Sequence, residues 1–154
     1  MSLAGDGPDR RNLEKTVARL NIASAVTFHG WTRQDRIREL LGRADIFVLA
    51  SFAEGVPVCL MEAMSMELPC ISTYIAGIPE LIQSGEDGLL VPASNDLLLA
   101  DTIEKLLKDP ELRSRLGKAA RRKVIEHYNL RRNVEVLAAT FDTLLPAPAK
   151  ERAS

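Results

Sequence analysis

Short apolar runs rich in branched residues recur through the first two-thirds of the chain, and longer segments of mixed character separate them. Runs of this kind are typical of strands buried on both faces of a parallel sheet. The intervening segments are long enough to be helices, so the alternation predicts an α/β fold, a doubly wound, Rossmann-like parallel sheet flanked by helices. The predicted strands are 26–29, 46–50, 70–73 and 88–91.

Helical spacing of apolar residues fills most of the remaining chain. Thr32 is placed to cap a helix in which Ile37, Leu40 and Leu41 share one face. After the last predicted strand the pattern is helical only, which predicts a group of C-terminal helices. The predicted helices are 8–20, 33–42, 56–67, 95 or 96 to 108, and 110–127, with a short turn or helix at 78–82 and a final helical pattern from 134 to 145.

Both ends of the chain bear on its domain organisation. The turn Gly5-Asp6-Gly7-Pro8 is of the kind that follows a first strand, yet only four residues precede it, and a strand averages about five or six. We therefore expect the chain to begin inside or just after a strand of a longer protein. We expect residues 1–145 to form one domain, and the polar, Pro- and Ala-containing residues 146–154 to be a disordered tail.

Composition and cysteine usage narrow the environment. The formal net charge of the 154 residues is −1, with 46% hydrophobic and 27% charged residues, so no overall field favours nucleic acid. Cys59 and Cys70 lie in apolar runs, which predicts buried free thiols in a reducing compartment. The sequence shows neither a membrane-span pattern nor a signal-peptide pattern. We expect a cytoplasmic protein and leave open a place at the inner face of the membrane.

The segment 111–133 carries a local excess of positive charge. Its eight basic residues against two acidic ones give +6, while the rest of the chain is −7, for the total of −1. Because few aromatic residues are interleaved and the charges spread over several helical faces, ordinary solvated helices are favoured over a nucleic-acid site. Peripheral binding to an anionic membrane stays open. The basic residues are Arg113, Arg115, Lys118, Arg121, Arg122, Lys123, Arg131 and Arg132.

Two carboxylates, Glu54 and Glu62, follow the predicted strand 46–50. A doubly wound sheet binds its ligands beyond the carboxyl ends of its strands. Gly55 would let the backbone come close to a ligand, and Pro57 suits the first turn of a helix whose free amides favour a phosphate. The two glutamates therefore fall where a ligand is expected.

The spacing of these glutamates argues against one kind of chemistry. If the helix 56–67 extended its geometry back to Glu54, eight residues would correspond to about 12 Å of rise and about 80° of net rotation. That separation exceeds the roughly 5 to 9.5 Å between paired glycosidase carboxylates. An elongated ligand with hydroxyls at both ends and a phosphate between them, such as a sugar nucleotide, fits better. The alternative is a helix-start acid and a solvated side chain with no shared role.

The residues around the glutamates resemble the E-x7-E signature of family 4 glycosyltransferases, which have the two-domain GT-B fold. The signature here is Ser51-Phe52-Ala53-Glu54-Gly55-Val56-Pro57, followed by Glu62-Ala63-Met64. Six other blocks resemble those of the family in order and spacing, so the likeness covers about residues 5–130. They are Gly5-Asp6-Gly7-Pro8, Val26-Thr27-Phe28-His29-Gly30, Ala44-Asp45-Ile46-Phe47-Val48, Leu68-Pro69-Cys70-Ile71-Ser72-Thr73, Gly77-Ile78-Pro79-Glu80-Leu81-Ile82 and Glu86-Asp87-Gly88-Leu89-Leu90-Val91.

The resemblance implies the C-terminal, donor-binding domain of a retaining glycosyltransferase. Such an enzyme transfers a hexose-type sugar from a UDP- or GDP-linked donor to a glycan or lipid-linked acceptor, here in cell-envelope or exopolysaccharide biosynthesis. The family's diphosphate-binding Arg and Lys precede the Gly-Asp-Gly-Pro turn, and its acceptor site lies in the preceding domain. We therefore expect this chain to bind a donor without transferring sugar.

The resemblance also assigns roles to individual residues. Glu54 becomes the candidate catalytic residue, binding hydroxyls of the donor sugar, and Glu62 would hold the ribose hydroxyls. The other assignments are backbone contacts to the sugar and diphosphate from Gly55, Val56 and Pro57, and positions close to the nucleobase for Trp31 and Thr32. No cofactor or metal is implied, and the histidines and cysteines lack ligand spacing.

Two positions and two alternatives remain open. Glu67 stands where the family usually has glycine, so the turn into the next strand is expected to be built differently. Glu80 could support a helix start or approach the sugar, and support is favoured. A non-catalytic nucleotide-binding or regulatory module of the same fold is the main alternative function. An epimerase or phosphorylase of the same architecture would share the topology but not this combination of blocks.

Overall fold

The computed structural model describes residues 1–145, so the predicted tail 146–154 lies outside the described residues. Parallel strands alternate with helices, which confirms the α/β class with parallel sheets flanked by helices. The strands are β1 (Ser2–Ala4), β2 (Thr27–Gly30), β3 (Phe47–Leu49), β4 (Cys70–Thr73) and β5 (Leu89–Val91). The helices are α1 (Arg10–Arg19), α2 (Gln34–Gly42), α3 (Val58–Ser65), α4 (Ile78–Leu81), α5 (Asp96–Lys108), α6 (Pro110–His127) and α7 (Leu130–Leu144), with a 3₁₀ turn at Ala23–Ala25.

The strands form two parallel sheets. One sheet pairs β1 with β2, and the other has the order β3-β4-β5. The chain divides in the same way into two compact units, Met1–Asp45 and Ile46–Ser154, the second of which is described up to residue 145. The prediction of one domain is not tested by this division and stays a prediction.

In the first unit, the turn after β1 is tied to the end of β2. The backbone N–H of Gly5 donates to the carbonyl oxygen of Gly30 at 2.9 Å. The guanidinium of Arg10, at the start of α1, lies 5.9 Å from the centroid of the Phe28 ring, a cation–π contact. These contacts hold the first turn of α1 beside β2.

The start of α2 differs from the prediction. Thr32 is not the cap, because its hydroxyl donates to the carbonyl oxygen of Gly30 at 2.9 Å. Arg33 is the N-cap residue, and no side chain caps the helix. The Thr32 hydroxyl thus bonds to the carbonyl oxygen at the end of β2 and not to the amides of α2. Hydrophobic periodicity does not show whether Thr32 or Arg33 is the N-cap residue.

The second unit is organised around β4, whose four residues are all buried between β3 and β5. Ile71 of β4 packs with Val91, Leu106 and Leu116, which come from β5, α5 and α6. Removal of these apolar side chains from water is the main favourable term for this unit. The segment 70–73 is therefore a buried parallel strand, as the sequence indicates, although Ser72 and Thr73 carry hydroxyls.

Side-chain caps explain where the three C-terminal helices begin. Each cap residue accepts a hydrogen bond from the backbone N–H three residues further on, which satisfies an amide that the helix itself leaves unpaired. The predicted start of α5 and both predicted ends of α6 are confirmed, with Pro110 in the first turn of α6. The cap residues are Asn95, Asp109 and Asn129.

The end of α3 turns through a residue with strained backbone. Glu67 has a φ of +62°, the left-handed conformation that glycine adopts most easily. The N–H of Leu68 donates to Ala63, and that of Glu67 to Met64, which is the hydrogen-bond pattern of a Schellman motif. The turn is therefore of the type that a glycine normally closes, although the residue is glutamate, and the expectation of a different construction is wrong.

Helix α6 lies directly against this turn at Gly117. A Cβ atom at position 117 would overlap the carbonyl carbon and oxygen of Glu67. Gly117 is buried within α6 and allows the two backbones to come into contact. The side chain of Glu67 also lies 3.8 Å from Arg121, one turn further along α6.

Several basic side chains of segment 111–133 have structural partners. Arg113 donates to the carbonyl oxygens at the end of α5, and Arg115 donates to the carbonyl oxygen of Gly85 at 3.1 Å. Lys123 forms a 3.0 Å ion pair with Asp87, which is buried and also accepts the backbone N–H of Gln83. Part of the positive charge therefore fastens α6 to its neighbours, which supports the interpretation as ordinary solvated helices.

Helix α7 is amphipathic, and every one of its residues is exposed. None of the helices described is both long enough and apolar enough to cross a membrane.

The contact between Gly117 and Glu67 predicts a large effect of a small substitution. Gly117→Ala should destabilise the fold by about 2 kcal/mol or more, because the overlap with backbone outweighs the better helix propensity of alanine. Urea denaturation measures the change. Lys118→Ala, at the adjacent exposed position, should stay within about 0.5 kcal/mol of the parent chain. Equal stability of the two variants would show that the backbones are not in contact.

Candidate functional site

The candidate site is built on the loop of residues 50–57, which leaves the carboxyl end of β3 and leads into α3. Pro57 is the N-cap residue, buried and extended, with φ −74° and ψ 123°. No side chain caps α3, so a side-chain oxygen does not occupy its first amides. Uncapped amides at a helix start favour an anion.

Glu54 lies in this loop and not on the helix. The helix begins at Val58 and ends at Ser65, two residues inside each predicted boundary. The helical rise and rotation calculated between Glu54 and Glu62 therefore do not apply, because the loop sets their separation. Glu54 is partly buried, and its Oε1 accepts a hydrogen bond from the hydroxyl of Ser51 at 2.9 Å.

The end of β4 holds the beginning of the loop. The Ser72 hydroxyl donates to the carbonyl oxygen of Leu49 at 2.8 Å, and the Thr73 hydroxyl donates to that of Ser51 at 2.6 Å. Both donors are buried, so each needs an acceptor. Their hydrogen bonds attach the loop to the central strand of the sheet.

Gly77 holds the other end of the loop. A Cβ at position 77 would lie 2.5 Å from the carbonyl oxygen of Gly55 and 3.1 Å from Cγ2 of Val56. Gly77 has an ordinary φ of −79°, so it is needed for space and not for unusual dihedral angles. Close packing against Gly77 fixes the backbone segment that the sequence predicts to face a diphosphate.

Glu62 lies on α3 and is partly buried. Cys59 lies between Glu54 and Glu62 in sequence, and the charges of both carboxylates act on its thiol. Partial burial raises the pKa of the Cys59 thiol above its ordinary value, and the negative charges of Glu54 and Glu62 raise it further. Both carboxylates therefore lie close enough to one thiol to act on it electrostatically.

The two cysteines differ in exposure. Cys70 is buried as predicted, and burial raises the pKa of its thiol strongly. Cys59 is exposed, so the prediction of a buried thiol is wrong for this position. The apolar run that contains Cys59 forms a helix whose buried residues are Leu60, Ala63 and Met64, and Cys59 falls on its outer side. Cys70, in contrast, lies on a strand whose residues are all buried.

Trp31 and Thr32 lie in the first unit, and the glutamates lie in the second. Trp31 follows β2 directly and is 82% exposed, which suits a side chain that stacks on a ligand. Thr32 is partly buried and already hydrogen-bonded to Gly30. Their assignment to the nucleobase stays a prediction.

Two remaining expectations concern metals and Glu80. Within residues 1–145, no three side chains of the metal-binding types come together, and the expected lack of a cofactor stays a prediction.

Glu80 is exposed on α4, and its carbonyl oxygen accepts a hydrogen bond from the Tyr128 hydroxyl at 3.2 Å. This contact links α4 to the end of α6.

Sequence reasoning gave no role to three residues that shape the site. Ser51 and Thr73 donate the hydrogen bonds described above, and Gly77 supplies the space for Gly55. A signal was present, since all three belong to sequence blocks that the family resemblance singles out. What the blocks do not show is which of these residues meet in space.

The chain belongs to the family of glycosyl transferases group 1, whose family model matches residues 1–123. Its parallel α/β architecture is that of GT-B glycosyltransferases. The match covers both glutamates, the residues that hold the loop, and Trp31 and Thr32.

Individual relatives agree with this membership. The chain is 39% identical over 142 residues to N-acetyl-alpha-D-glucosaminyl L-malate synthase of Bacillus anthracis, covering 92% of this chain and 36% of that protein. It is 32% identical over 127 residues to the lipopolysaccharide core biosynthesis glycosyltransferase LpsE of Rhizobium meliloti, covering 82% and 37%. A crystal structure of TarM from S. aureus, which contains UDP, superposes with a TM-score of 0.82 at 25% identity, covering 91% of this chain and 28% of that one. The chain thus spans about a third of the length of these curated relatives.

The Cys59 environment predicts selective and slow alkylation. Iodoacetamide at pH 8 should label Cys59 and not Cys70, because only Cys59 is exposed. Labelling should be slower than in the urea-unfolded chain, because a raised pKa leaves less thiolate at that pH. Time-resolved mass spectrometry follows the reaction.

Charge variants test the cause. Glu54→Gln should accelerate labelling of Cys59 by removing a negative charge, whereas Glu86→Gln, outside the loop and α3, should not. Cys59→Ser should remove the label altogether. Labelling of Cys70 at a similar rate, or no effect of Glu54→Gln, would contradict the described environment.

Proposed function

We propose that the chain is the C-terminal, donor-binding domain of a family 4 glycosyltransferase. The whole enzyme would transfer a hexose-type sugar from a UDP- or GDP-linked donor with retention of anomeric configuration. The observation that carries the proposal is the 50–57 loop, a fixed backbone segment that runs past Glu54 into the uncapped start of α3. Membership of the glycosyl transferases group 1 family supports it.

The donor is proposed to lie along the loop and the first turns of α3. Glu54, partly buried and oriented by a hydroxyl, would accept hydrogen bonds from hydroxyls of the donor sugar. Gly55, Val56 and Pro57 would present backbone to the sugar and diphosphate, and Glu62 would accept the ribose hydroxyls. The UDP in the TarM crystal supports a nucleoside diphosphate as the ligand class.

The proposed chemistry relies on stabilising charge and not on a side-chain nucleophile. As the bond between the anomeric carbon and the diphosphate breaks, negative charge develops on the departing phosphate oxygens. The uncapped amides at the start of α3 are suited to that charge, since the helix N-terminus is its positive end. Glu54 would act as the catalytic residue by holding the sugar while the acceptor hydroxyl attacks the anomeric carbon and gives its proton to the departing diphosphate. No metal or cofactor is proposed.

The acceptor is proposed to be a glycan or a lipid-linked sugar in cell-envelope or exopolysaccharide biosynthesis. The relationship to LpsE, named for lipopolysaccharide core biosynthesis, supports this class. We place the enzyme in the cytoplasm, with peripheral contact to the inner face of the membrane as an extension. Arg122, Arg131 and Arg132 are exposed, which suits such contact, and no nucleic-acid partner is proposed.

Titration with nucleotides tests the two glutamates separately. Glu62→Ala should weaken binding of UDP or GDP about tenfold, because the ribose hydroxyls lose a charged acceptor. Glu54→Gln should leave the affinity for the free diphosphate unchanged and reduce only the additional affinity that the sugar confers. Isothermal titration calorimetry measures both, with Glu111→Ala, an exposed glutamate on α6, as the matched control.

The outcome also separates the proposal from its main alternative. If Glu62→Ala does not change nucleoside diphosphate affinity, the ribose assignment is wrong. A non-catalytic nucleotide-binding module of the same fold would bind the free diphosphate and the sugar nucleotide equally well. Glu54→Gln would then change the affinity for neither ligand.

The isolated 154 residues are expected to bind donor without transferring sugar. The chain spans 36% of the length of the B. anthracis relative, and the acceptor is proposed to bind outside it. Incubation with radiolabelled UDP- and GDP-sugars and bacterial lipid extract should give no labelled lipid or glycan above the Glu54→Gln control. Transfer above that control would show that the acceptor site lies within these residues.

A further inference from the structure

We propose that Ser51 is a positioning residue for the donor site, because its hydroxyl orients the Glu54 carboxylate toward a sugar hydroxyl. Thr73 and Gly77 are proposed to hold the backbone on either side of Glu54, so that this hydroxyl is in place. The inference rests on the proposed function, in which Glu54 binds the donor sugar.

The first step is the contact itself. Ser51 Oγ donates to Glu54 Oε1 at 2.9 Å in a partly buried position, which is a good length for a hydrogen bond to a carboxylate. Among the described residues, no donor occupies Oε2 of Glu54. One carboxylate oxygen is therefore held by the protein while the other is available to a ligand hydroxyl.

The backbone that flanks Glu54 is fixed at two points. The Thr73 hydroxyl donates to the carbonyl oxygen of Ser51 at 2.6 Å, and Thr73 is 4% exposed at the end of β4. On the other side, the carbonyl oxygen of Gly55 lies against Gly77, where a Cβ would approach it to 2.5 Å. The backbone is thus held on both sides of Glu54, at position 51 by Thr73 and at position 55 by Gly77.

A fixed backbone does not by itself fix the side chain of Glu54. A glutamate side chain on a fixed backbone still rotates about three bonds, and a ligand that binds it must restrict those rotations. The Ser51 hydroxyl restricts them before the ligand arrives. Preorganisation of this kind improves affinity for the group that the side chain contacts, and it has no effect on groups bound elsewhere.

Removal of the Ser51 hydroxyl should affect binding of the sugar and not of the diphosphate. Ser51→Ala should reduce the ratio of the dissociation constant of the free nucleoside diphosphate to that of the sugar nucleotide by about 3- to 10-fold. The affinity for the free diphosphate should not change. Ser51→Thr, which keeps the hydroxyl, should retain most of the ratio, and Ser114→Ala, an exposed serine on α6, should retain all of it.

Thr73 offers a second test. Thr73→Val removes the hydroxyl at nearly constant volume and should lower the same ratio, whereas Thr73→Ser should preserve it. A double variant distinguishes positioning from a general loss of structure: in the Glu54→Ala background, which leaves no side-chain acceptor for the Ser51 hydroxyl, Ser51→Ala should have no further effect. Thermal unfolding of every variant checks that the fold is kept.

The experiment uses UDP-glucose, UDP-N-acetylglucosamine and GDP-mannose, each compared with its free diphosphate by calorimetry on the 154-residue chain. The donor with the largest ratio is carried through the variants. If Glu54→Gln lowers the ratio, Ser51→Ala lowers it equally or in part, and Ser51→Ala has no further effect in the Glu54→Ala background, the inference is supported. If Ser51→Ala lowers the ratio as much in the Glu54→Ala background as in the parent chain, Ser51 does not act through Glu54 and the inference is overturned. If Glu54→Gln lowers the ratio and Ser51→Ala does not, the role of Ser51 is overturned and the proposed function stands. If no sugar raises the affinity, or Glu54→Gln has no effect, the proposed function falls and the inference with it.

Discussion

The constraint on which the second unit depends is the complete burial of β4. A buried parallel strand places apolar side chains on the core, and Ile71 does so beneath α5 and α6. The same strand also buries two hydroxyls, and a buried hydroxyl without a partner costs about 1 to 3 kcal/mol. Ser72 and Thr73 meet that requirement by donating to carbonyl oxygens of β3 and of the loop beyond it. The hydrogen bonds that these buried hydroxyls require therefore also hold the start of the loop in which Glu54 lies.

The elements that could be predicted from sequence are those with strong local signals. Both ends of α6 follow from Pro110 and from the periodicity that ends near His127, and β4 coincides with the predicted strand 70–73. The sequence predicts less well where either of two neighbouring residues could cap a helix. Thr32 and Arg33 both stand at the start of α2, and only tertiary structure shows that the Thr32 hydroxyl bonds to Gly30. The prediction of a buried thiol is wrong for Cys59 because a short helix made of apolar residues still has a side that faces solvent.

The sequence motif identifies the residues of the candidate site but does not give their arrangement in space. Glu54 and Glu62 are recognisable in sequence, and their location after β3 follows from the order of elements. Their spacing could not be calculated, because Glu54 precedes α3 and no periodicity governs a loop. Ser51 contacts Glu54 from within the loop, but the backbone of the loop is held by distant residues, such as Thr73, which bonds to Ser51 across 22 positions of sequence. Pairings of that kind depend on how the strands are ordered in the sheet, which the local sequence does not state.

The contrast between Trp31 and Cys59 has a practical consequence for studying the protein. The chain has one tryptophan, and it is 82% exposed in the first unit, while the exposed thiol lies in the second. Indole emission and a thiol-linked dye therefore report on different units in the same sample. Whether the two signals change together during unfolding is a direct measure of cooperativity between the halves of the chain, obtained without introducing a new reporter residue.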